Sequence, residues 1–244
     1  MRKLLLILLV GMVAVLLTST LVPASQDYQD IDAAGTKALM ENADALVVFP
    51  LSPIEFDNKH IEGSVNIVMD MLEFDLPEDK ERHIVFYCLG IKCVASWRAA
   101  EKAVELGYKN VYAFREGIPG WEAAGYPIVT VKPLPDVEVQ QISTTELATM
   151  LANDDIVMVD INLDEDAHKF HIDHAKRVHI PLDELKVSLA QIPKDKKIVV
   201  ICLKGKRSPT AVKYLVGQGF TDVVMVEGGM QKWVLEGRPV KRVS

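Results

Sequence analysis

Two cysteines stand at the ends of apolar runs, and they are the residues of this sequence best suited to covalent chemistry. Ile84-Val85-Phe86-Tyr87 leads into Cys88, and Ile198-Val199-Val200-Ile201 leads into Cys202. Short apolar runs of this kind read as buried strands, so each thiol falls at a strand end. Cys202 is followed by Leu203-Lys204-Gly205-Lys206-Arg207-Ser208 and then by a helical spacing of Ala211, Val212 and Leu215. A loop wound onto a helix N-terminus turns backbone N–H groups inward and adds the helix dipole. Both favour a thiolate, the nucleophilic form of cysteine. Gly205 permits the curl. Lys204, Lys206 and Arg207 supply three cations, so this loop, with Ser208 at its end, suits a small anion. The earlier loop, Leu89-Gly90-Ile91-Lys92-Cys93, holds Gly90 and one cation, Lys92, ahead of Ser96. By that count Cys202 is expected to be the more reactive thiol. The plainer alternative is an inert buried thiol beside a solvated loop; the coincidence of strand end, glycine, cations and helix start favours chemistry. Cys93 is open to three readings: a disulfide partner of Cys88, a thiol that resolves an intermediate on it, or a small apolar residue.

The elements that position these thiols occur twice. Cys88 and Cys202 are 114 residues apart. Downstream, Gly107-Tyr108 pairs with Gly219-Phe220, and Glu116-Gly117 through Trp121 pairs with Glu227-Gly228 through Trp233. Upstream, His60-Ile61 pairs with His171-Ile172. The first copy carries two extra residues between its cysteine and the following helix. In the second copy, Ile156 to Ile161, Lys197 to Ile201 and Val223 to Val226 read as strands. Ser143-Thr144-Thr145-Glu146 is a capping box opening a helix to about Leu151, Ser208 to Gln218 reads as another helix, and a short one surrounds Trp233. Strands alternating with helices predict an α/β fold: two tandem domains, each a mainly parallel sheet with helices on both faces. Ligands on such sheets sit beyond the carboxyl ends of the strands, where both cysteines fall. The domains are expected over residues 28–130 and 140–242. The linker, 131–139, contains two prolines and reads as extended.

Cys202-x-x-Gly205-x-Arg207-Ser208 resembles the active-site loop of rhodanese-like sulfurtransferases. Glu227-Gly228-Gly229, Trp233, Gly237 and Pro239 resemble that family's closing segment, and Tyr87 through Cys93 with Ser96 resembles a longer variant of the loop. The resemblance spans about residues 30 to 242. It implies tandem three-layer domains and a persulfide on Cys202, with a second on Cys88. It implies substrate contacts from Lys204, Gly205, Lys206, Arg207 and Ser208 in one copy and from Gly90 and Lys92 in the other. It also implies that no metal or organic cofactor is needed. The expected donor is a small sulfur-containing anion (thiosulfate, polysulfide or mercaptopyruvate), and the acceptor a thiol or a cyanide-like nucleophile. The contrasting reading is a non-catalytic carrier that presents polysulfide to a membrane-associated sulfur-metabolising complex. There are departures. Where the family often has Asp-x-Arg, the second copy has Asp160-Ile161-Asn162 and the first has Phe49-Pro50-Leu51. Phosphatase loops of related shape place an Arg six residues after the cysteine; here those positions are Ser208 and Val94, so phosphatase chemistry ranks low.

The remaining signals bound the setting. The chain has 244 residues and a formal net charge of -7, and it lacks a long Lys/Arg-rich run, so no nucleic-acid partner is expected. Arg2 and Lys3 precede the apolar run Leu4 to Leu17, and Val22-Pro23-Ala24 offers a cleavage site. Residues 1–24 therefore read as a signal peptide, with an uncleaved membrane anchor as the rival. Either places the rest outside the cytoplasm: exported and periplasmic, or anchored and facing outward. Three cysteines, an odd number, do not make a disulfide-stapled scaffold. His168, His171 and His174 lie near Asp164, Asp166, Asp173 and His179, a set that could bind a transition metal. The first copy has only His60 there, so no metal site is expected. Trp121 and Trp233 occupy matching positions and read as core anchors.

Overall fold

The computed structural model describes residues 28–153 and 156–242. The expected export segment, 1–24, lies outside them. Among the described residues no helix is long and apolar enough to cross a membrane.

The chain builds two five-stranded parallel sheets of identical topology. In the first the strands lie in the order Gln29–Asp30, Asn110–Phe114, His83–Tyr87, Leu46–Phe49, Val65–Asn66. In the second the order is Gln141–Ile142, Val223–Val226, Lys197–Ile201, Ile156–Asp160, Arg177–His179. The strand that leads into a cysteine is central both times. A central parallel strand is covered on both faces, which is why its sequence is a continuous apolar run rather than an alternation. Ile198 and Val200 pack with Ala211, Val212 and Leu215 of the helix Ser208–Gly217. Val199 and Ile201 point the other way, toward Leu147, Met230 and Trp233. In the first domain Ile84 and Phe86 meet Ala99, Ala100 and Ala103, while Val85 and Tyr87 meet Ile118 and Trp121. Each such buried side chain contributes about 2 kcal/mol, so the cysteine strands are among the best-anchored parts of the molecule.

Local chemistry explains the element ends. Ser143 and Glu146 form the expected reciprocal cap, with the Ser143 N–H 2.8 Å from the Glu146 carboxylate and the Glu146 N–H 3.2 Å from the Ser143 hydroxyl. The helix they open runs two residues past the expected end, to Asn153. The first buried strand of that domain stops at Asp160, one residue short of expectation. Trp121 and Trp233 are buried, and their indole N–H groups donate to the carbonyls of Pro127 (2.9 Å) and Pro239 (2.8 Å). The two extra residues of the first domain divide between two places. The loop after Cys88 is one residue longer, 89–94 against 203–207, and relative to the matching serines the helix of the first domain opens one residue earlier, at Ala95 rather than at the serine itself.

The linker is extended but not free. The N–H groups of Val131 and Lys132 both donate to the carbonyl of Asp57, and that of Leu134 to the side chain of Asn58. Leu134 and Val139 then pack on the core of the second domain, which also takes in Ile54 from the first. The two units are therefore docked, with an apolar side chain of one buried in the other.

Candidate active site

Cys202 follows the central strand directly and is only 4% exposed. The helix Gly229–Leu235 grips the base of its loop. The Met230 N–H donates to the Cys202 carbonyl at 2.9 Å, and the Gln231 N–H to that of Leu203 at 2.8 Å. This contact demands glycine. Gly229 has φ +58°, and a Cβ there would lie 2.0 Å from the Cys202 carbonyl oxygen. Gly117 repeats the arrangement, with φ +56°, a Cβ position 2.0 Å from the Cys88 oxygen, and a hydrogen bond from the Ile118 N–H to that oxygen at 3.0 Å. Sequence reasoning placed Gly117 and Gly229 in the closing segments without assigning them this task. The pairing by Glu116 and Glu227 sets Gly117 against Gly228; counting back four residues from the matched Trp121 and Trp233 sets it against Gly229, and that spacing was the signal that could have found it.

The cations of the second loop divide into two kinds. Lys204 and Lys206 are exposed. Arg207 is 26% exposed and is held by Asp183 of its own domain, with Glu55 of the first domain 3.7 Å away. Its charge is thus answered by carboxylates, and among the described residues the loop offers two cations without a carboxylate partner where the sequence suggested three. Arg207→Ala would leave two nearly buried carboxylates facing each other. We expect a loss of about 2 kcal/mol, less than for a fully buried pair because Arg207 keeps some solvent. Thermal unfolding measures it, and Arg207→Lys should recover part of the loss.

Two buried polar atoms at this loop have no protein partner among the described residues: the Ser208 hydroxyl and Nε of Arg207. The matching Ser96 in the first domain shows where such a hydroxyl reaches, since its oxygen lies 3.8 Å from Sγ of Cys88. Both loops open into one cavity of about 1040 Å³. Leu89 to Ala95 and Pro119 line it from the first domain, and Lys204, Lys206, Arg207 and Thr210 from the second. Leu51, which stands where the family often has arginine, also lines it, as does Glu55, which was not picked out from the sequence. The wall contributed by the first domain is apolar at its tips, with Leu89, Ile91 and Val94 exposed.

Cys88 is fully buried, and hydrogen bonds, rather than cations, set its acidity. The Cys93 thiol, hydrogen-bonded to it, does most to pull the Cys88 thiol down to about 7. Burial opposes this, and the backbone and hydroxyl of Ser96 and the backbone of Gly90 assist. Lys92 is exposed and has no part in the lowering. A charge count therefore misjudged the first loop, whose geometry supplies what its composition lacks. Cys93 is pushed up by the same hydrogen bond and by burial, and it stays protonated. In the fully reduced protein, alkylation of Cys88 should rise through a midpoint near pH 7. In Cys93→Ala the midpoint should move up toward the ordinary thiol value of about 8.5. Peptide-resolved iodoacetamide labelling against pH reads both.

The other singled-out residues have structural partners. Asp160 is buried beside the Cys202 strand, and Arg177 takes one carboxylate oxygen at 2.7 and 3.0 Å. The other oxygen accepts from the backbone and side chain of Asn162. Arg177, from the neighbouring strand, thus meets the aspartate where Asn162 replaces the family's arginine. His60 and His171 each place Nδ1 on the carbonyl four residues earlier, that of Phe56 at 2.8 Å and of Ala167 at 3.1 Å. Among the described residues no three His, Cys, Asp or Glu side chains converge as a metal set.

Comparison with known proteins bears on both halves. The rhodanese-like domain family matches twice, over residues 33–124 and 143–236. Thiosulfate sulfurtransferase GlpE of Pseudomonas savastanoi is 38% identical over 89 residues, 36% of this chain and 81% of that protein. A sulfurtransferase of Allochromatium vinosum is 31% identical over 103 residues, 42% of this chain and 94% of that protein. The crystal structure of a rhodanese-related protein from Thermoplasma volcanium is 31% identical and covers 43% of this chain and 99% of its own, with a TM-score of 0.39. These relatives match one domain's length of the present chain, and the two sheets repeat one topology. The chain therefore belongs to the rhodanese-like domain family, as a tandem rhodanese-type sulfurtransferase.

Proposed function

We propose that Cys202 carries the transferred sulfur as a persulfide and that Cys88 is a second such site. The Cys202 thiolate attacks the sulfane sulfur of a small donor. The new S–S bond forms as the bond between that sulfur and the rest of the donor breaks, and the remainder leaves with the bonding pair. A thiol or cyanide-like acceptor then attacks the outer sulfur and frees the thiolate. The observation that carries this reading is the unpartnered, buried Ser208 hydroxyl. It stands where Ser96 meets the other cysteine, and a persulfide on Cys202 would give it a partner. Lys204 and Lys206 on one side of the cavity and Lys92 on the other draw in an anionic donor. Thiosulfate, polysulfide and mercaptopyruvate all meet that requirement.

The test is turnover of each donor with cyanide as acceptor, followed as thiocyanate. Many thiocyanates per chain with at least one donor is the expected result. Release of one stored sulfur per cysteine and no more, with every donor, would mean that the chain only carries sulfur.

A further inference from the structure

Cys93 has no counterpart in the second loop, and its surroundings are specific. The Cys93 N–H donates to the Gly90 carbonyl at 2.8 Å, which closes a turn over residues 90–93. The turn folds the loop back on its own start, so that the Cys93 carbonyl lies 3.5 Å from Sγ of Cys88. The turn brings the two cysteines side by side, and both thiols are free. Cys93 is half-buried and lines the cavity, while Cys88 lies beneath it. A sulfur bound to Cys88 thus lies close to a second cysteine that also lines the cavity.

We propose that the first domain is a dithiol site that discharges a persulfide as sulfide, with Cys93 attacking the inner sulfur of a Cys88 persulfide. This step rests on the reading that Cys88 can hold a persulfide. Its balance is closed. A bond forms between Sγ of Cys93 and Sγ of Cys88, and the bond from Cys88 to the outer sulfur breaks. The outer sulfur leaves with the bonding pair and takes the Cys93 proton, emerging as HS⁻. The sulfane sulfur gains two electrons, and the two cysteine sulfurs lose them in becoming a disulfide. An external dithiol reductant, itself oxidised to a disulfide, restores both thiols. Attack at the inner sulfur fits the short loop, because the turn folds Cys93 back onto Cys88 itself, with the Cys93 carbonyl 3.5 Å from Sγ of Cys88. Cys93 gives up its proton as it attacks, and the departing sulfur takes that proton, so the sulfide leaves as HS⁻. In the second loop, Leu203 to Ser208 contains no cysteine, so a persulfide on Cys202 must wait for an outside acceptor. The two domains then differ in outcome: one passes sulfur on, and the other reduces it.

The experiment uses the full chain, fully reduced and then loaded anaerobically with inorganic polysulfide and desalted. Cys202→Ser isolates the first site, and Cys88→Ser isolates the second. In Cys202→Ser we expect sulfide release without added thiol and a Cys88–Cys93 crosslinked peptide in mass spectra. In Cys202→Ser with Cys93→Ser, the persulfide should remain on Cys88 and release should slow by about 100-fold or more, because the attack is no longer intramolecular. In Cys88→Ser the Cys202 persulfide should survive desalting. Equal sulfide release with and without Cys93, or a lasting Cys88 persulfide with Cys93 present, overturns the discharge step and leaves Cys88 a persulfide site. Absence of any Cys88 persulfide in the Cys93→Ser chain overturns the reading of Cys88 and this step with it.

Discussion

Cys202→Ser is expected to lower sulfur-transfer turnover by about 100-fold or more, while thermal unfolding stays where it was. Serine is nearly the same size, and Cys202 makes its backbone contact through its carbonyl, which the substitution keeps. What is lost is the atom that holds sulfur: a hydroxyl is a far weaker nucleophile at neutral pH and forms no persulfide. Whatever turnover remains should come from Cys88, and adding Cys88→Ser should remove it. Near-normal thiocyanate production by Cys202→Ser alone would make Cys88 the principal site. The two variants therefore rank the two loops, which a count of cations does not.

Gly229→Ala should be among the most damaging single-methyl additions to this protein. The new carbon would sit 2.0 Å from the Cys202 carbonyl oxygen, on a backbone with φ +58°. Neither partner can step aside, since Cys202 ends a buried central strand and the Met230 N–H needs the same oxygen. The closing helix must move away from the loop. We expect a loss of about 3 kcal/mol or more. Because the loop shifts with it, activity at Cys202 should fall by about 100-fold. Gly237→Ala provides the control. That residue also has positive φ, +70°, but a Cβ there meets nothing within 4 Å. Backbone strain alone should cost it about 1 kcal/mol, with activity retained. Differential scanning calorimetry and thiocyanate release separate the two cases. Similar losses in both variants would show that the close approach to Cys202 is not what matters.

What could be read from the sequence was what is local or repeated. The apolar runs before Cys88 and Cys202 announced central strands because a parallel strand buried on both faces leaves no alternative pattern. The capping box at Ser143 announced a helix start because its partners are three residues apart. The repeat carried the tandem architecture. What escaped was decided between distant segments. Arg207 reads as one more loop cation until Asp183 and Glu55 close on it, and Glu55 belongs to the other domain. Asp70 gave no signal either. It matches Asp183 in the repeat, yet Ala95 stands in the first domain where Arg207 stands in the second. Burial pushes the Asp70 carboxyl up, and Asp183 adds to the shift. The acidity of Cys88 was misjudged for a related reason: it depends on where a turn puts the Cys93 thiol, and composition does not record direction.

The meeting of both loops in one cavity has a consequence for how such a protein can change. Two identical chains pairing through a two-fold axis must keep their sites alike, because every substitution appears twice. Joining the copies end to end removes that constraint while preserving the face-to-face contact. Each half can then take on its own chemistry, as here, with lysines around one thiol and a neighbouring thiol over the other. A molecule released by one half enters a cavity that its sibling also lines, which raises its local concentration there. Covalent duplication thus turns a symmetric vessel into one with two unlike walls.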